Sequence, residues 1–293
     1  MPGERTLRVG LVQMAMAPEV SDNLNKAVRM SEEAASRGAD IICLPELFTT
    51  PYFPREEDPE GKRERGGFLS TIPGLVSETL SDLARRTGAV VIGGSLYEAA
   101  EDGLFNTTPV FEGDGSMLGK YRKTHIPHDE CFYEQHYFTP GDTGFRAFQT
   151  SRGRISALIC YDQWFPEAAR CSALLGAEII FYPTAIGTVR GIGQAEGDWQ
   201  EAWEGVMRGH AIANAVPVCA VNRVGVEGES EFFGGSFVCD AFGKTLARAG
   251  KDEEVLLAEV DMDHGRRVRE GWRFFHNRRP ECYGMLVRMT GGK

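Results

Sequence analysis

One short segment occurs twice in the chain, and this repeat limits the possible folds more than any other feature. GADIICLP occupies residues 38–45, and GAEIIFYP occupies residues 176–183. Each copy follows a predicted helix. That helix follows a predicted strand, which begins with a basic residue, Arg8 in the first half and Arg154 in the second. Apolar runs of this length alternating with helices are typical of the βαβα order of an α/β fold.

The similarity between the two halves continues further along the chain. Phe111 to Gly119 and Phe237 to Leu246 both read as two strands joined by a turn. We therefore predict a single domain, residues 1–293, with an internal pseudo-two-fold repeat. Two sheets packed face to face, with helices outside, would bury both sets of apolar strands. Chance similarity between short apolar runs is the alternative.

Local signals place the first elements. Residues 7–12 predict a strand, and residues 21–23 offer caps for a helix that runs to residue 35 and stops near Gly38. A short buried strand follows at residues 41–44. A helix is then predicted around residues 78–86, with a stop at Gly88 and a strand at residues 90–92 directly after it.

Composition excludes several classes of protein. The formal net charge is −10, so a nucleic-acid partner is not expected, because phosphate binding needs a basic surface. Neither a signal peptide nor an apolar run long enough to span a bilayer is recognised, and we expect a cytoplasmic protein without membrane partners. The seven cysteines include no CxxC pair, which favours free thiols and predicts no metal site.

Cys160 is the most prominent of these thiols. It ends the apolar run 155–159 and is followed by YDQWFPE, in which Pro166 suits the first turn of a helix. A thiol at a strand-to-helix turn would face backbone N–H groups and the positive end of a helix dipole. These groups favour a thiolate and stabilise an oxyanion. The alternative is a small apolar residue in the core, which is the commoner role of a free cysteine.

Three charged residues could act with this thiol. Glu46 directly follows a predicted buried strand, Lys123 follows a strand near residues 117–118, and Glu134 lies between aromatic residues that could exclude water. A carboxylate can take the thiol proton, and an ammonium can stabilise the thiolate and the oxyanion, together with the backbone N–H of Tyr161. Charged residues at strand ends are nevertheless usually solvated.

A Cys–His dyad is the competing arrangement. His125 lies two residues after Lys123, and His210 lies on a predicted helix. We interpret both as hydrogen-bonded structural residues, with His125 near the site as a supporting residue.

Two loops and the C-terminal region complete the organisation. Residues 51–67 are rich in charge and predict an exposed loop near the mouth of a site. Residues 187–197 are rich in glycine and predict a second loop. The basic and aromatic residues 266–293 predict an arm that packs on the fold or on a partner subunit.

Three motifs together resemble the nitrilase, or carbon–nitrogen hydrolase, superfamily. They are LPELF at residues 44–48, YRKTHIP at residues 121–127 and ICYDQWFPE at residues 159–167. The resemblance runs from about Leu7 to Gly284 and implies a four-layer αββα sandwich, no cofactor, and a homodimer or larger homo-oligomer. It makes Glu46 the general base, Lys123 the oxyanion stabiliser and Cys160 the nucleophile. It makes Glu134 a second carboxylate that positions Lys123 or the substrate.

Within the superfamily, residues 132–145, 162–170 and 181–187 are most similar to the branch that acts on N-carbamoylputrescine. The resemblance implies hydrolysis of a small carbamoyl or amide substrate with a cationic amine tail. The expected substrate contacts are Tyr52, Trp164, Thr184 and Ala185, and the acidic residues 56–58 are candidates for the amine.

The sequence departs from that branch in a loop expected to contact the substrate. Residues 51–53 are followed by Pro54 and Arg55, where relatives have Cys and Gln. A β-ureidopropionase or an ω-amidase therefore remains an alternative, as does a non-catalytic interaction protein on the same scaffold.

Overall fold

The structure is a computed structural model that describes residues 5–58, 60, 66–192 and 197–288. In these ranges the chain forms sixteen strands and five α-helices, with several short 3₁₀ turns between them. The strands are β1 (Thr6–Gln13), β2 (Ile41–Cys43), β3 (Val90–Ile92), β4 (Leu96–Ala100), β5 (Gly103–Phe111), β6 (Met117–Arg122), β7 (Phe148–Thr150), β8 (Gly153–Ala157), β9 (Ile179–Pro183), β10 (Gly187–Val189), β11 (Val218–Val221), β12 (Val224–Glu227), β13 (Ser230–Phe233), β14 (Phe237–Cys239), β15 (Thr245–Arg248) and β16 (Glu254–Asp261). The helices are α1 (Val20–Ser36), α2 (Leu75–Thr87), α3 (Pro166–Leu174), α4 (Trp199–Asn214) and α5 (Met262–Trp272).

These strands form two main mixed sheets and one small sheet. The first sheet has the order β16-β1-β2-β3-β5-β4, with β6 also paired to β5, and the second has the order β15-β14-β11-β9-β8-β7. β1, β2 and β3 run parallel in the first sheet, as do β8, β9 and β11 in the second. Each parallel trio continues into an antiparallel hairpin, β5–β6 or β14–β15. The segments found to repeat in the sequence therefore occupy matching strands of the two sheets.

One apolar core joins the two main sheets. Buried side chains from β1, β2 and β3 belong to the same cluster as those from β8, β9 and β11, and α3 and α4 contribute to it as well. A second cluster packs α1 and α2 against the first sheet. Helices therefore flank both sheets, and each strand that is covered on both faces can be apolar along its whole length.

The start of α1 differs from the prediction. Residues 21–23 are the predicted caps, but the N-cap is Glu19, two residues before the first of them, and it makes no side-chain cap bond. Asn23 lies in the first turn, and its amide bonds instead to the backbone of Ala17 and Thr49. This amide therefore ties the segment between β1 and α1 to the segment that follows β2, because a buried amide must find partners for its donors and acceptor.

The prediction for residues 51–67 was partly wrong. Tyr52, Phe53, Pro54 and Asp58 are buried, because the aromatic rings of this segment pack into a third apolar cluster. Residues 59 and 61–65 lie outside the described residues. In the second predicted loop, Gly187–Val189 form strand β10, and residues 193–196 lie outside the described residues.

The predicted arm begins inside a helix, since α5 extends to Trp272. Arg269 holds this helix against the fold by donating to the backbone oxygens of Asn214 and Ala177. Trp272 and Val287 remain exposed. No helix in the described ranges is both long and apolar enough to cross a bilayer.

Candidate active site

The structure brings together the four side chains that the sequence singled out. Glu46 follows β2, Lys123 directly follows β6, Cys160 begins a 3₁₀ turn (Cys160–Trp164) after β8, and Glu134 begins another (Glu134–His136). Lys123 Nζ lies 2.9 Å from Glu46 Oε1 and 2.6 Å from Glu134 Oε2. The charges of all three groups act on the Cys160 thiol. All four side chains are buried.

Lys123 is held as a cation, and two of its three N–H donors are bonded to carboxylates. Burial alone lowers the pKa of an ammonium, but the carboxylates of Glu134 and Glu46 outweigh burial and raise the pKa of Lys123 well above its usual range. An ammonium has three donors, and two of them bind these carboxylates. The third has no recorded partner among the residues that the structure describes, and it is therefore available for an oxygen atom of a bound substrate.

Glu46 has one occupied and one unoccupied carboxylate oxygen. Oε1 accepts from Lys123 Nζ and, at 2.8 Å, from Asn106 Nδ2. Oε2 is buried and has no hydrogen-bond partner among the residues that the structure describes. A buried carboxylate oxygen without a partner is costly, and it is suited to receive a proton from a neighbouring acid.

Glu134 is a perturbed carboxyl group. Burial raises its pKa to about 7, with the charge of Glu46 adding to the rise, while Lys123 and the hydroxyl of Tyr52 act in the opposite direction. Tyr52 Oη donates to Glu134 Oε1 across 2.7 Å. Tyr52, predicted as a substrate contact, thus holds the second carboxylate in place.

Cys160 stands on a strained backbone. Its φ is 39°, and Leu47, next to Glu46, has φ 46°. Left-handed conformations cost non-glycine residues free energy, and in proteins they cluster at functional sites. Cys160 Sγ lies 3.9 Å from the carbonyl oxygen of Ala185.

The surroundings of Cys160 disfavour a thiolate in the free protein, although the strand-to-helix turn by itself favours one. Burial raises the pKa of Cys160 well above its usual range, and Glu46 and Glu134 raise it further against the effect of Lys123. The thiol therefore keeps its proton in the free protein, because low dielectric and nearby carboxylates disfavour a second negative charge. A base is required, and Glu46 has the free oxygen.

A buried carboxylate, Asp162, fixes the turn that carries Cys160. Its Oδ2 accepts from Ile159 N and Tyr121 Oη, and its Oδ1 accepts from His125 N. His125 Nδ1 lies 2.7 Å from the same Oδ1. These bonds join the turn after β8 to the segment after β6, so the thiol and Lys123 share one support.

The two histidines have structural partners, as we expected from the sequence. His125 is bonded to Asp162 and stacks on Phe165 at 3.7 Å between ring centroids. His210 Nε2 lies 2.7 Å from the backbone oxygen of Gln163. In the part of the chain that the structure describes, neither imidazole is hydrogen-bonded to Cys160 Sγ, whose recorded contact is the carbonyl oxygen of Ala185.

A cavity of about 500 Å³ leads to the thiol. Trp164 and Ala185 line it, and their contact with a substrate stays a prediction. Thr184 is buried, is not among the lining residues, and bonds to the backbone of Tyr182. The other lining residues are Pro127, Asp129, Glu130, Phe132, Glu134, Cys160, Tyr161, Gln163, Ile186, Ile192, Trp199 and Ala202.

The acidic residues at the cavity differ from those proposed on sequence. Asp129 and Glu130 line the cavity and are exposed at its mouth, while residues 56–58 do not line it. Asp58 is buried, and its backbone N–H donates to His136 Nδ1. The correction follows from the aromatic residues around 52–54, which draw this segment into the fold.

Sequence reasoning missed two supporting residues, Asn106 and Asp162. Asn106 contacts Glu46 through its side chain, and its backbone oxygen accepts from Lys123 N at 2.8 Å. Both residues have polar side chains that are almost completely buried. A polar residue inside an apolar run was the only available signal, and it does not say which partner the fold supplies.

The fold and the site together define the class of protein. The family model for carbon–nitrogen hydrolases matches residues 8–270. The chain therefore belongs to the carbon–nitrogen hydrolase family of the nitrilase superfamily, and it is an enzyme that acts on C–N bonds other than peptide bonds.

Three curated proteins and one solved structure show which members of the family the chain is similar to. N-carbamoylputrescine amidase of Solanum tuberosum is 42% identical over 98% of this chain and 97% of its own length. Citrullinase of Francisella tularensis is 35% identical over 96% of this chain and 98% of its own, and an omega-amidase of Xenopus tropicalis is 33% identical over 95% and 97%. The crystal structure of a carbon–nitrogen hydrolase from Helicobacter pylori G27 superposes with a TM-score of 0.88 at 39% identity, over 98% of this chain and all of that one.

Proposed function

We propose that this enzyme hydrolyses N-carbamoylputrescine to putrescine, carbon dioxide and ammonia, with Cys160 as nucleophile. The observation that carries the chemistry is the buried group of Glu46, Lys123 and Glu134 around the thiol, in which Glu46 Oε2 is free to accept a proton. We also propose that the two halves form a four-layer αββα sandwich with an internal pseudo-two-fold; their matching strand orders support this.

The first half-reaction forms a thioester. Glu46 takes the proton of Cys160, and the thiolate attacks the carbonyl carbon of the carbamoyl group. The third N–H of Lys123 and the backbone N–H of Tyr161 stabilise the oxyanion. Tyr161 lies at the start of its 3₁₀ turn, where backbone N–H groups lack partners within the turn. Glu46 returns the proton to the leaving nitrogen, and ammonia departs.

The second half-reaction releases the product. Water attacks the thioester as Glu46 accepts one of its protons, and the C–S bond breaks as that proton returns to sulfur. The resulting carbamic acid separates into carbon dioxide and the free amine. Each step uses groups of the chain itself.

The cavity supports a cationic tail on the substrate. Its walls are mainly apolar, as suits a short hydrocarbon chain, and two carboxylates, Asp129 and Glu130, stand at its mouth. These charges favour an ammonium and disfavour the carboxylate tail of N-carbamoyl-β-alanine or of the acid amides that an ω-amidase cleaves. Similarity to N-carbamoylputrescine amidase at 42% identity also supports a substrate with a cationic tail.

A substrate panel tests the proposal. Ammonia release is measured with N-carbamoylputrescine, N-carbamoyl-β-alanine, citrulline and N-butylurea, which has the same carbon chain without the amine. We expect kcat/KM for N-carbamoylputrescine to exceed each of the others by at least about tenfold, the equivalent of about 1.4 kcal/mol. A preference for N-carbamoyl-β-alanine or citrulline would refute the assignment of the tail while leaving the chemistry intact.

A double variant and a control variant then test where the amine of the substrate binds. Asp129→Asn combined with Glu130→Gln should raise KM for N-carbamoylputrescine by about 2- to 30-fold, since exposed ion pairs contribute about 0.2–1 kcal/mol each. KM for N-butylurea should not change. Glu57→Gln is the matched control, because it removes an exposed acidic charge from outside the cavity lining. An equal effect of both substitutions would show only a general effect of net charge.

A further inference from the structure

The side-chain amide of Gln163 carries an unused pair of hydrogen-bond donors in the wall of the catalytic cavity. Gln163 is fully buried and lines the cavity together with Cys160. Its Oε1 accepts from Trp203 Nε1 across 2.9 Å and lies 3.4 Å from the hydroxyl of Thr184. Its Nε2 is buried and finds no partner within the described ranges of the chain.

The direction of this amide follows from donor chemistry. An indole N–H is a donor only, so the atom of Gln163 that faces Trp203 must be the oxygen. The NH₂ group is therefore the end that is left without a partner. Trp203 is itself fully buried on α4, which leaves little freedom for the pair to rearrange.

Gln163 also lies on the same turn as the nucleophile. Cys160 and Gln163 are the first and fourth residues of one 3₁₀ turn, and both line the cavity. The backbone oxygen of Gln163 is held by His210 Nε2 at 2.7 Å, which anchors the turn at that residue. The residue with the unused donors and the residue with the thiol therefore belong to one anchored turn and border one cavity.

We propose that Gln163 contacts the substrate, with its side-chain NH₂ donating to the carbonyl oxygen of the carbamoyl or amide group that Cys160 attacks. This inference rests on the proposed function, and it adds a third donor to Lys123 and the Tyr161 N–H. A carbonyl oxygen has two lone pairs, and it gains charge as the tetrahedral adduct forms. A fixed donor aimed at this oxygen strengthens its bond in the transition state.

An unfilled buried donor is otherwise a net cost to the fold. Leaving such a group without a partner disfavours the folded state, which is why nearly all buried polar groups in proteins are hydrogen-bonded. A substrate oxygen bound beside Cys160 would give the unpartnered Nε2 of Gln163 the acceptor that the fold does not supply, while Oε1 stays bonded to Trp203. The class of ligand it selects is any small molecule that presents an amide or ureido oxygen to Cys160.

Two variants separate this role from a structural one. Gln163→Met removes the donors, and Trp203→Phe removes the indole N–H while keeping the amide of Gln163. Both break the bond between the two side chains, but only Gln163→Met takes the donor from the cavity. Kinetics are measured for each on the best substrate of the wild-type enzyme in the panel, with circular dichroism as the check of folding.

The two variants should differ mainly in kcat. We expect Gln163→Met to lower kcat about 10²-fold with KM changed less than about threefold, as for loss of one oxyanion donor. Trp203→Phe should lower kcat by less than about tenfold. Equal losses in the two variants, or a loss confined to KM, would overturn the inference. If Gln163→Met folds poorly because it leaves the indole N–H of Trp203 without a partner, the double variant removes that donor as well. Its kcat should remain about 10²-fold below the wild type.

Failure of the proposed function would be visible separately, in the wild-type enzyme. If the wild type prefers another amide or ureide, kcat of Gln163→Met and of Trp203→Phe is measured on that substrate, and the same differences decide the inference. If the wild type hydrolyses none of the panel, the proposed function is refuted and this inference with it.

Discussion

Replacing Tyr52 by Phe tests whether the buried charges behave as one unit. Burial holds the pKa of Tyr52 well above its usual range, with Glu134 and Glu46 adding to the rise, so its hydroxyl remains a donor to Glu134. A hydrogen bond to a charged group contributes about 1.5–3 kcal/mol, and one pKa unit corresponds to about 1.4 kcal/mol. Loss of the hydroxyl should therefore raise the pKa of Glu134 from about 7 by about one to two units.

The sign of the effect on activity follows from the charge of Glu134. The ionised carboxylate accepts from Lys123, so activity should fall as the pH drops through the pKa of Glu134. In the wild type the acid limb of kcat/KM should be centred near pH 7, and in Tyr52→Phe it should move upward by about one to two units. Ammonia release at substrate concentrations below KM, measured across this range, gives both profiles.

A second phenol serves as the matched control. Tyr121 is also buried and also donates to a carboxylate, but its partner is Asp162 rather than Glu134. Tyr121→Phe can lower activity through the turn that carries Cys160, yet the midpoint of the acid limb should stay where it is. An unshifted limb in Tyr52→Phe, or equal shifts in both variants, would refute control of the limb by Glu134.

The remaining predictions concern the groups that hold the reacting side chains. Asn106→Leu removes one of the donors to Glu46 and should lower kcat about tenfold or more with an unchanged circular-dichroism spectrum; unaltered kcat would contradict this role. Asp162→Asn replaces one of two accepting oxygens with an NH₂ donor inside the fold, so urea denaturation should show the free energy of unfolding reduced by about 1–3 kcal/mol. Wild-type stability would argue against that support. Lys123→Met leaves two buried carboxylates without a cation. It should abolish ammonia release and lower the free energy of unfolding by about 3–5 kcal/mol, whereas residual activity would exclude Lys123 as an essential donor.

The sequence predicted those parts of the fold that depend on the conformational preferences of single residues. Gly88 was expected to stop a helix, and it adopts φ 70° directly after α2, a conformation that glycine reaches without steric cost. Pro166 was expected in a first turn and is the first residue of α3. The repeated segments became β2 and β9, because both are apolar runs covered on two faces. The start of α1 was misplaced because the amide of Asn23 found tertiary partners.

The site was predicted less completely, for a related reason. Glu46, Lys123, Glu134 and Cys160 converge as expected, since each follows or caps an element with a recognisable sequence signal. The turn that carries Cys160 favours a thiolate, but its local geometry gives no information about the desolvation and the neighbouring carboxylates that raise the pKa of the thiol.

Residues that face the site from distant parts of the chain were also missed. The amide of Asn106 and the acids at the cavity mouth meet the site only after β5 and the segment before Glu134 have packed. No periodicity or local motif carries that information, because the contacts join residues far apart in sequence. The acidic run at 56–58 was a plausible local alternative, and burial of the adjacent aromatic residues moved it away.

The most direct test of the central claim is to locate the covalent intermediate. The enzyme is mixed with N-carbamoylputrescine, quenched with acid during turnover, digested and mapped by mass spectrometry. The account predicts an added mass equal to the substrate less ammonia on the peptide that contains Cys160, and no adduct in Cys160→Ala. An adduct on Cys131 or Cys171, or full ammonia release by Cys160→Ala, would contradict it.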